Sequence, residues 1–147
     1  MIARRISISM DSRIRFKFRS QDFENIYRKI YWALHPKEEI PELELRIVGS
    51  TEMQRANKSF RGKNRPTDVL SFHSQREDFL GSLMIDIQTA RRQAKEFKHS
   101  PLCEIQELFV HGVLHLLNYD HERPQEAAAM AKLENHFNRL WKTTKRK

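Results

Sequence analysis

The stretch HGVLHLLNYDH, residues 111–121, carries three histidines at offsets 0, +4 and +10. A neutral imidazole offers a nitrogen lone pair that suits zinc and neighbouring transition ions. His111 and His115, four apart on a helix, share one face with Cβ atoms roughly 5–6 Å apart, close enough to hold one ion. His121 comes six residues later, and a straight helix would carry it about 240° round the wheel from His115. It joins the pair only if the helix stops in between. Asn118 marks that stop, because asparagine, after glycine, best tolerates the left-handed conformation that ends a helix. Three neutral imidazoles around a divalent ion leave a fourth position for water, the open arrangement of a catalytic site. Chance also places histidines four apart on helices, so the pair alone says less than the triplet with its built-in stop.

The same spacing occurs in metzincin proteases. Those enzymes set a glutamate beside the first histidine as general base, whereas this chain has Gly112 there. The spacing points to a metal and the missing glutamate points away from that protease chemistry.

The elements that must position these histidines follow from periodicity and punctuation. Ser100-Pro101 is an N-cap followed by proline at the first helical position, and it starts the histidine-bearing helix. Residues 88–98 read as a preceding helix with Ala90, Ala94 and Phe97 inward and Arg91, Arg92, Lys95 and Lys98 outward. Pro124 starts a last helix with Met130, Leu133, Phe137 and Leu140 inward. Upstream, 4–9 and 13–18 alternate as strands, either a hairpin turned at Asp11-Ser12 or an arm followed by a strand. Ser20 opens a helix through Phe23, Ile26, Tyr27, Ile30 and Leu34, ended by Pro36. Residues 42–48 form a half-buried strand. Thr51-x-x-Gln54 resembles a capping box for a short helix that Gly62 stops. DVLSF (68–72) and LGSLMIDI (80–87) are strands close enough for an antiparallel hairpin. The predicted architecture is α/β (α+β): a mixed sheet of about four strands with helices packed on it, and a metal site in a cleft at the end of a helix.

Composition agrees with one domain over 1–147, with a mobile basic tail from 142. Hydrophobic residues make up 39% and charged residues 31% of the chain, which excludes a disordered or membrane-embedded chain. No run approaches the ~18 apolar residues of a membrane span, and the first residues lack the apolar stretch of a signal peptide. The one cysteine, Cys103, fits a reducing compartment, so a cytoplasmic location is expected. Lys+Arg 27 against Asp+Glu 19 gives a formal charge of +8, which favours a polyanionic partner.

Three blocks resemble one known family. HGVLHLLNYDH is similar to the H-G-x-L-H-L-x-G-Y-D-H signature of the YbeY family, zinc-dependent endoribonucleases of ribosomal RNA maturation. NKSFRGKNRPTDVLSF, residues 57–72, resembles that family's asparagine–arginine–lysine–PTDVLSF segment, and LGSLMIDI its L-G-D-I strand. The resemblance implies one zinc per chain on His111, His115 and His121, with Arg61 as a functional residue of the cleft. It also implies action on 16S ribosomal RNA precursor and in ribosome quality control, with ribosomal subunits or proteins as partners and no membrane. The chain departs from the pattern at three places. Asn118 replaces the turn glycine, Ser82 replaces the strand aspartate, so that any carboxylate there is lost or moved, and His73 replaces a proline. His73 reads as a solvated strand-end histidine or, alternatively, as part of the cleft. His35, His99 and His136 are assigned no role.

Phosphodiester cleavage builds negative charge on non-bridging oxygens, and a guanidinium pairs with two of them at once. Arg61 and His111 are therefore the candidate catalytic residues, and Arg61, Lys63 and Arg65 the candidate RNA-binding residues. Either an ion-activated water or a ribose 2′-hydroxyl can serve as nucleophile. Glu107, one turn before His111, is either a hydrogen-bond partner behind a ligand or an ordinary surface charge, and Asp120 either orients a ligand or caps the turn. Phe60 and Tyr119 are the aromatics near these blocks that can stack on bases. Two other readings stay open: a non-catalytic ribosome-assembly factor with a structural zinc, and a metallopeptidase.

Overall fold

In a computed structural model, residues 4–119 and 122–145 of the chain are described. Four strands form one sheet: β1 (Ile6–Met10), β2 (Glu42–Val48), β3 (Val69–His73) and β4 (Phe79–Asp86). Their spatial order is β1-β2-β4-β3. β1, β2 and β4 run parallel, and β3 pairs antiparallel at the edge. Five helices interleave with them: α1 (Gln21–Leu34), α2 (Ser50–Arg61), α3 (Ile87–Glu96), α4 (Pro101–Leu116) and α5 (Pro124–Lys145). The fold class is the expected α+β one.

Strand alternation sorts the two faces of the sheet. Leu43, Leu45 and Ile47 of β2 and Leu83 and Ile85 of β4 are buried on one face, with Phe23, Tyr27 and Ile30 of α1 and Phe109, Val110 and Val113 of α4. The opposite face carries Val48, Leu70 and Met84 and is covered by Met53 of α2. The sheet thus lies between α2 on one side and the other helices on the other, so residues of β3 can line clefts on both sides of one strand.

Several expectations need correction. Residues 13–18 join no strand. β1 is an edge strand paired only with β2, so no hairpin forms, and the alternating aromatics pack directly instead: Phe16 stacks on Phe18, Phe18 meets Phe23 edge-on, and Phe23 meets Phe109. The capping box at Thr51 is not made. Gly49 is the N-cap of α2, Ser50 Oγ donates to Asp86 at 2.7 Å and the Gln54 amide reaches Asn64. Gly62 does end α2, in the left-handed conformation at φ 70°. Phe97 is 62% exposed and Leu140 41% exposed, so neither is inward; Trp141 takes the inward place on α5. Where the basic tail was expected, α5 continues to Lys145 and the Lys142 amine pairs with Glu107.

Asp86, fully buried at the end of β4, explains how α3 starts. Its carboxylate accepts from Gln88 N, Ser50 Oγ and Thr89 Oγ1, capping α3 and tying α2 to it.

Candidate active site

α4 is built as its sequence dictates. Ser100 Oγ accepts from Cys103 N at 3.1 Å with Pro101 in the first turn, and the helix ends at Asn118, φ 72°. His111 and His115 therefore sit on consecutive turns, their ring centroids 5.7 Å apart. Rings sharing one ion through bonds of ~2.0–2.1 Å stand with centroids about 5 Å apart, so this pair is close to ligating separation. His121, the third expected ligand, lies outside the described residues, as does Asp120.

Gly112 between the two histidines sets how deeply they sit. A Cβ there would stand 2.7 Å from Leu83 Cδ2, because α4 lies directly on β4 at this point. A glutamate of the metzincin kind has no room at this position. The metallopeptidase reading loses its general base for a steric reason.

His111 Nδ1 is held by Glu134 Oε1 of α5 at 2.7 Å. The bond leaves Nε2 as the nitrogen able to face an ion, and a carboxylate behind a ligating imidazole makes it a stronger donor. The imidazolium form of His111 is favoured above its ordinary range by the Glu134 hydrogen bond. Burial opposes that shift, while the charges of Glu134 and Asp68 add to it. Glu107, read as either a partner behind a ligand or a surface charge, accepts from Lys142 Nζ through Oε1. The sequence carried a signal for Glu134: with Met130, Phe137 and Trp141 it falls on the inward stripe of α5, where a carboxylate needs a partner.

A cleft of about 420 Å³ opens beside the pair. One wall is His111 and His115, another is Thr67 to Ser71 with His73 along β3, and Arg61 and Glu122 close the rim. Arg61 thus lines the same cleft as the two histidines. Lys63 and Arg65 are exposed on the following loop and do not line the cleft. That loop is fixed by buried Asn57, whose side-chain amide donates to Arg65 O at 2.8 Å while its backbone carbonyl accepts from Lys63 N. Asp68 is a further polar residue of the wall that sequence spacing did not single out. Its Oδ2 accepts from Gln93 Nε2 at 3.4 Å.

Two of the departures from the family pattern acquire structural reasons. His73 is not merely solvated: its Nε2 donates to the His115 carbonyl at 3.0 Å, fastening β3 to the last turn of α4. At Ser82 a carboxylate stands one strand over. Ser82 pairs in register with Glu44, and its hydroxyl donates to Glu44 Oε1 at 2.8 Å.

Outside the cleft, His99 is not idle. His99, Cys103 and Glu107 each offer a ligand atom within 4.8 Å of the others, so the described residues include a group able to hold a metal ion.

A mixed four-stranded α+β sheet with two helix-borne histidines and an arginine lining one cleft defines the class of domain. Comparison with known proteins narrows the class. The family model described as Endoribonuclease YbeY matches residues 8–142. A protein of that name from Chloroflexus aurantiacus is 44% identical over 113 residues, covering 67% of this chain and 73% of its own. One from Aquifex aeolicus is 43% identical over 100 residues, 65% of this chain and 67% of its own. The solution structure of TM1509 from Thermotoga maritima superposes with a TM-score of 0.66 at 27% identity, over 96% of this chain and 91% of that one. The chain belongs to the YbeY family.

Proposed function

We propose that this chain, one metallohydrolase domain over 1–147, is a metal-dependent endoribonuclease. It cuts single-stranded RNA and serves 16S ribosomal RNA maturation and ribosome quality control. The observation that carries the reading is the cleft that sets Arg61 opposite His111 and His115 in a chain of this family. The donor set of neutral imidazoles, with Nδ1 of His111 already held by Glu134, fits a zinc ion, and His111, His115 and His121 are the residues that would hold it. Zinc bound there supplies Lewis-acid polarisation of a phosphoryl oxygen or of water.

The chain's own residues do the rest. Glu134 fixes the plane and tautomer of His111. His73 holds the last turn of α4, so His115 keeps its place relative to β3. Arg61 pairs with the non-bridging oxygens as charge builds on them, and Asp68 is the wall carboxylate able to take the proton of the attacking hydroxyl. Lys63 and Arg65 bind the phosphates that flank the scissile one, without reading bases. Phe60, 69% exposed and beside Arg61, packs edge-on against Phe72 and offers a face to an unpaired base. The substrate is RNA, and ribosomal subunits or proteins present it in the cytoplasm. Among the described residues no helix is long and apolar enough to cross a membrane.

The test is Arg61→Ala. Metal content and RNA binding are retained while turnover falls by about 10²–10³, the usual cost of one charge-stabilising donor. Normal ribosomal RNA processing by this variant would overturn the catalytic role of Arg61 and favour the assembly-factor reading.

A further inference from the structure

The turn between α3 and α4 brings together three side chains that the cleft does not use. Lys98 adopts a left-handed conformation at φ 58°, and His99 N bonds back to Ala94 O. The chain therefore doubles over the start of α4, placing the His99 ring above Cys103 and Glu107, which lie one turn apart on that helix. All three are half-buried, and their ligand atoms lie within 4.8 Å of one another.

One distance within the group is that of a coordination sphere. His99 Nδ1 lies 3.5 Å from Cys103 Sγ. With Zn–S of ~2.3 Å and Zn–N of ~2.0–2.1 Å, a tetrahedral ion separates its sulfur and nitrogen ligands by about 3.5 Å. The other ring nitrogen is occupied, since His99 Nε2 sits 2.6 Å from Oε1 of Glu104, a residue only 4% exposed. A buried carboxylate on one imidazole nitrogen, with the second turned to a thiol, is the arrangement that orients a ligating histidine. Glu107 pairs through Oε1 with Lys142, and its Oε2 lies 3.9 Å from His99 Nε2, so the carboxylate turns toward the Nδ1 side to complete the set.

We infer that His99, Cys103 and Glu107 form a second metal site, distinct from the cleft, for a zinc-class divalent ion bound through one thiolate, one imidazole and one carboxylate. Binding transfers the Cys103 thiol proton to solvent and leaves a fourth position for water. The thiolate sets its preference apart from that of the histidine pair, since sulfur selects softer ions than nitrogen alone. The site spans the α3–α4 turn, and through Lys142 it reaches α5, the helix that also carries Glu134. It does not depend on the nuclease reading.

Cobalt(II) distinguishes the two sites optically, because only a thiolate ligand gives a sulfur-to-metal charge-transfer band in the near ultraviolet. Untagged, reduced protein titrated with cobalt(II) shows that band together with the visible transitions of the ion. Cys103→Ser abolishes the near-ultraviolet band, lowers the cobalt bound at saturation by one equivalent and leaves the visible spectrum of the histidine site. His115→Ala does the reverse and keeps the band. Glu104→Gln keeps the band but weakens its titration by about 10–100-fold, the effect expected of a partner behind a ligand. Far-ultraviolet circular dichroism verifies that each variant is folded. Absence of the band in cobalt-saturated wild-type protein, or its persistence in Cys103→Ser, overturns the site.

Discussion

Replacing Glu134 by glutamine isolates the charge behind His111. Glutamine keeps an acceptor oxygen where Oε1 lies 2.7 Å from His111 Nδ1, so the ring stays oriented while the negative charge disappears. A hydrogen bond to a charged group contributes about 1.5–3 kcal/mol. These side chains are 31% and 28% exposed, and solvent screening places the loss at the lower end of that range. Partners behind metal ligands typically account for 10–100-fold in affinity. Glu134→Gln should therefore weaken metal binding roughly tenfold, about 1.4 kcal/mol, and Glu134→Ala, which also frees the ring, nearer a hundredfold. Competition against a chromogenic chelator measures this, best in a Cys103→Ser background so that only the cleft is read. Unchanged affinity in both variants, alongside strong loss in His115→Ala, would show that Glu134 holds α5 to α4 and does nothing for the ion.

Other substitutions test separate links. Gly112→Ala presses a methyl group into Leu83 and should cost about 1–3 kcal/mol, read as a lowered Tm; an unaltered Tm would mean α4 is not seated as described. Gly81→Ala should cost more, since φ is 150° and the new Cβ would meet the Phe72 carbonyl oxygen at 2.3 Å. Phe60→Ala should weaken single-stranded RNA binding by about 1–3 kcal/mol if one base stacks there; equal affinity in a filter-binding assay removes Phe60 from the RNA path. Tyr27 donates to Pro41 O at 2.7 Å, and burial pushes its hydroxyl well above the usual tyrosine range. Its contribution to stability is whole below about pH 10 and declines as pH rises towards the folded value, because the unfolded chain ionises first. Tyr27→Phe should lose about 1–3 kcal/mol at neutral pH and show a shallower alkaline decline in urea unfolding.

What could be read in advance was local. α4 announces both of its ends, through Ser100-Pro101 and Asn118, and so its histidines could be placed before any packing was known. Arg61 came with the left-handed stop at Gly62. The failures are non-local. Residues 13–18 alternate like a strand, yet they leave the open edge of β1 unpaired because their aromatics pack onto Phe23 of α1 instead. Glu134 lies on another helix, 23 residues from His111, and only the inward stripe of α5 hinted at it. His99 escaped notice because a left-handed lysine, unforeseeable from residue type, folds it back over Cys103.

Cys103, Glu107, His111 and His115 hang from a single helix, one step of four repeated without a break, and His99 folds over its start from the turn before it. They share a phase as well as a scaffold. Inserting one residue between Glu107 and His111 would rotate one set about 100° against the other, while Gly112 keeps the downstream part seated on Leu83. Point substitutions can therefore retune either set alone, but a change of length in this helix would alter both at once. The tolerance of this segment to insertion is set by angular register more than by burial.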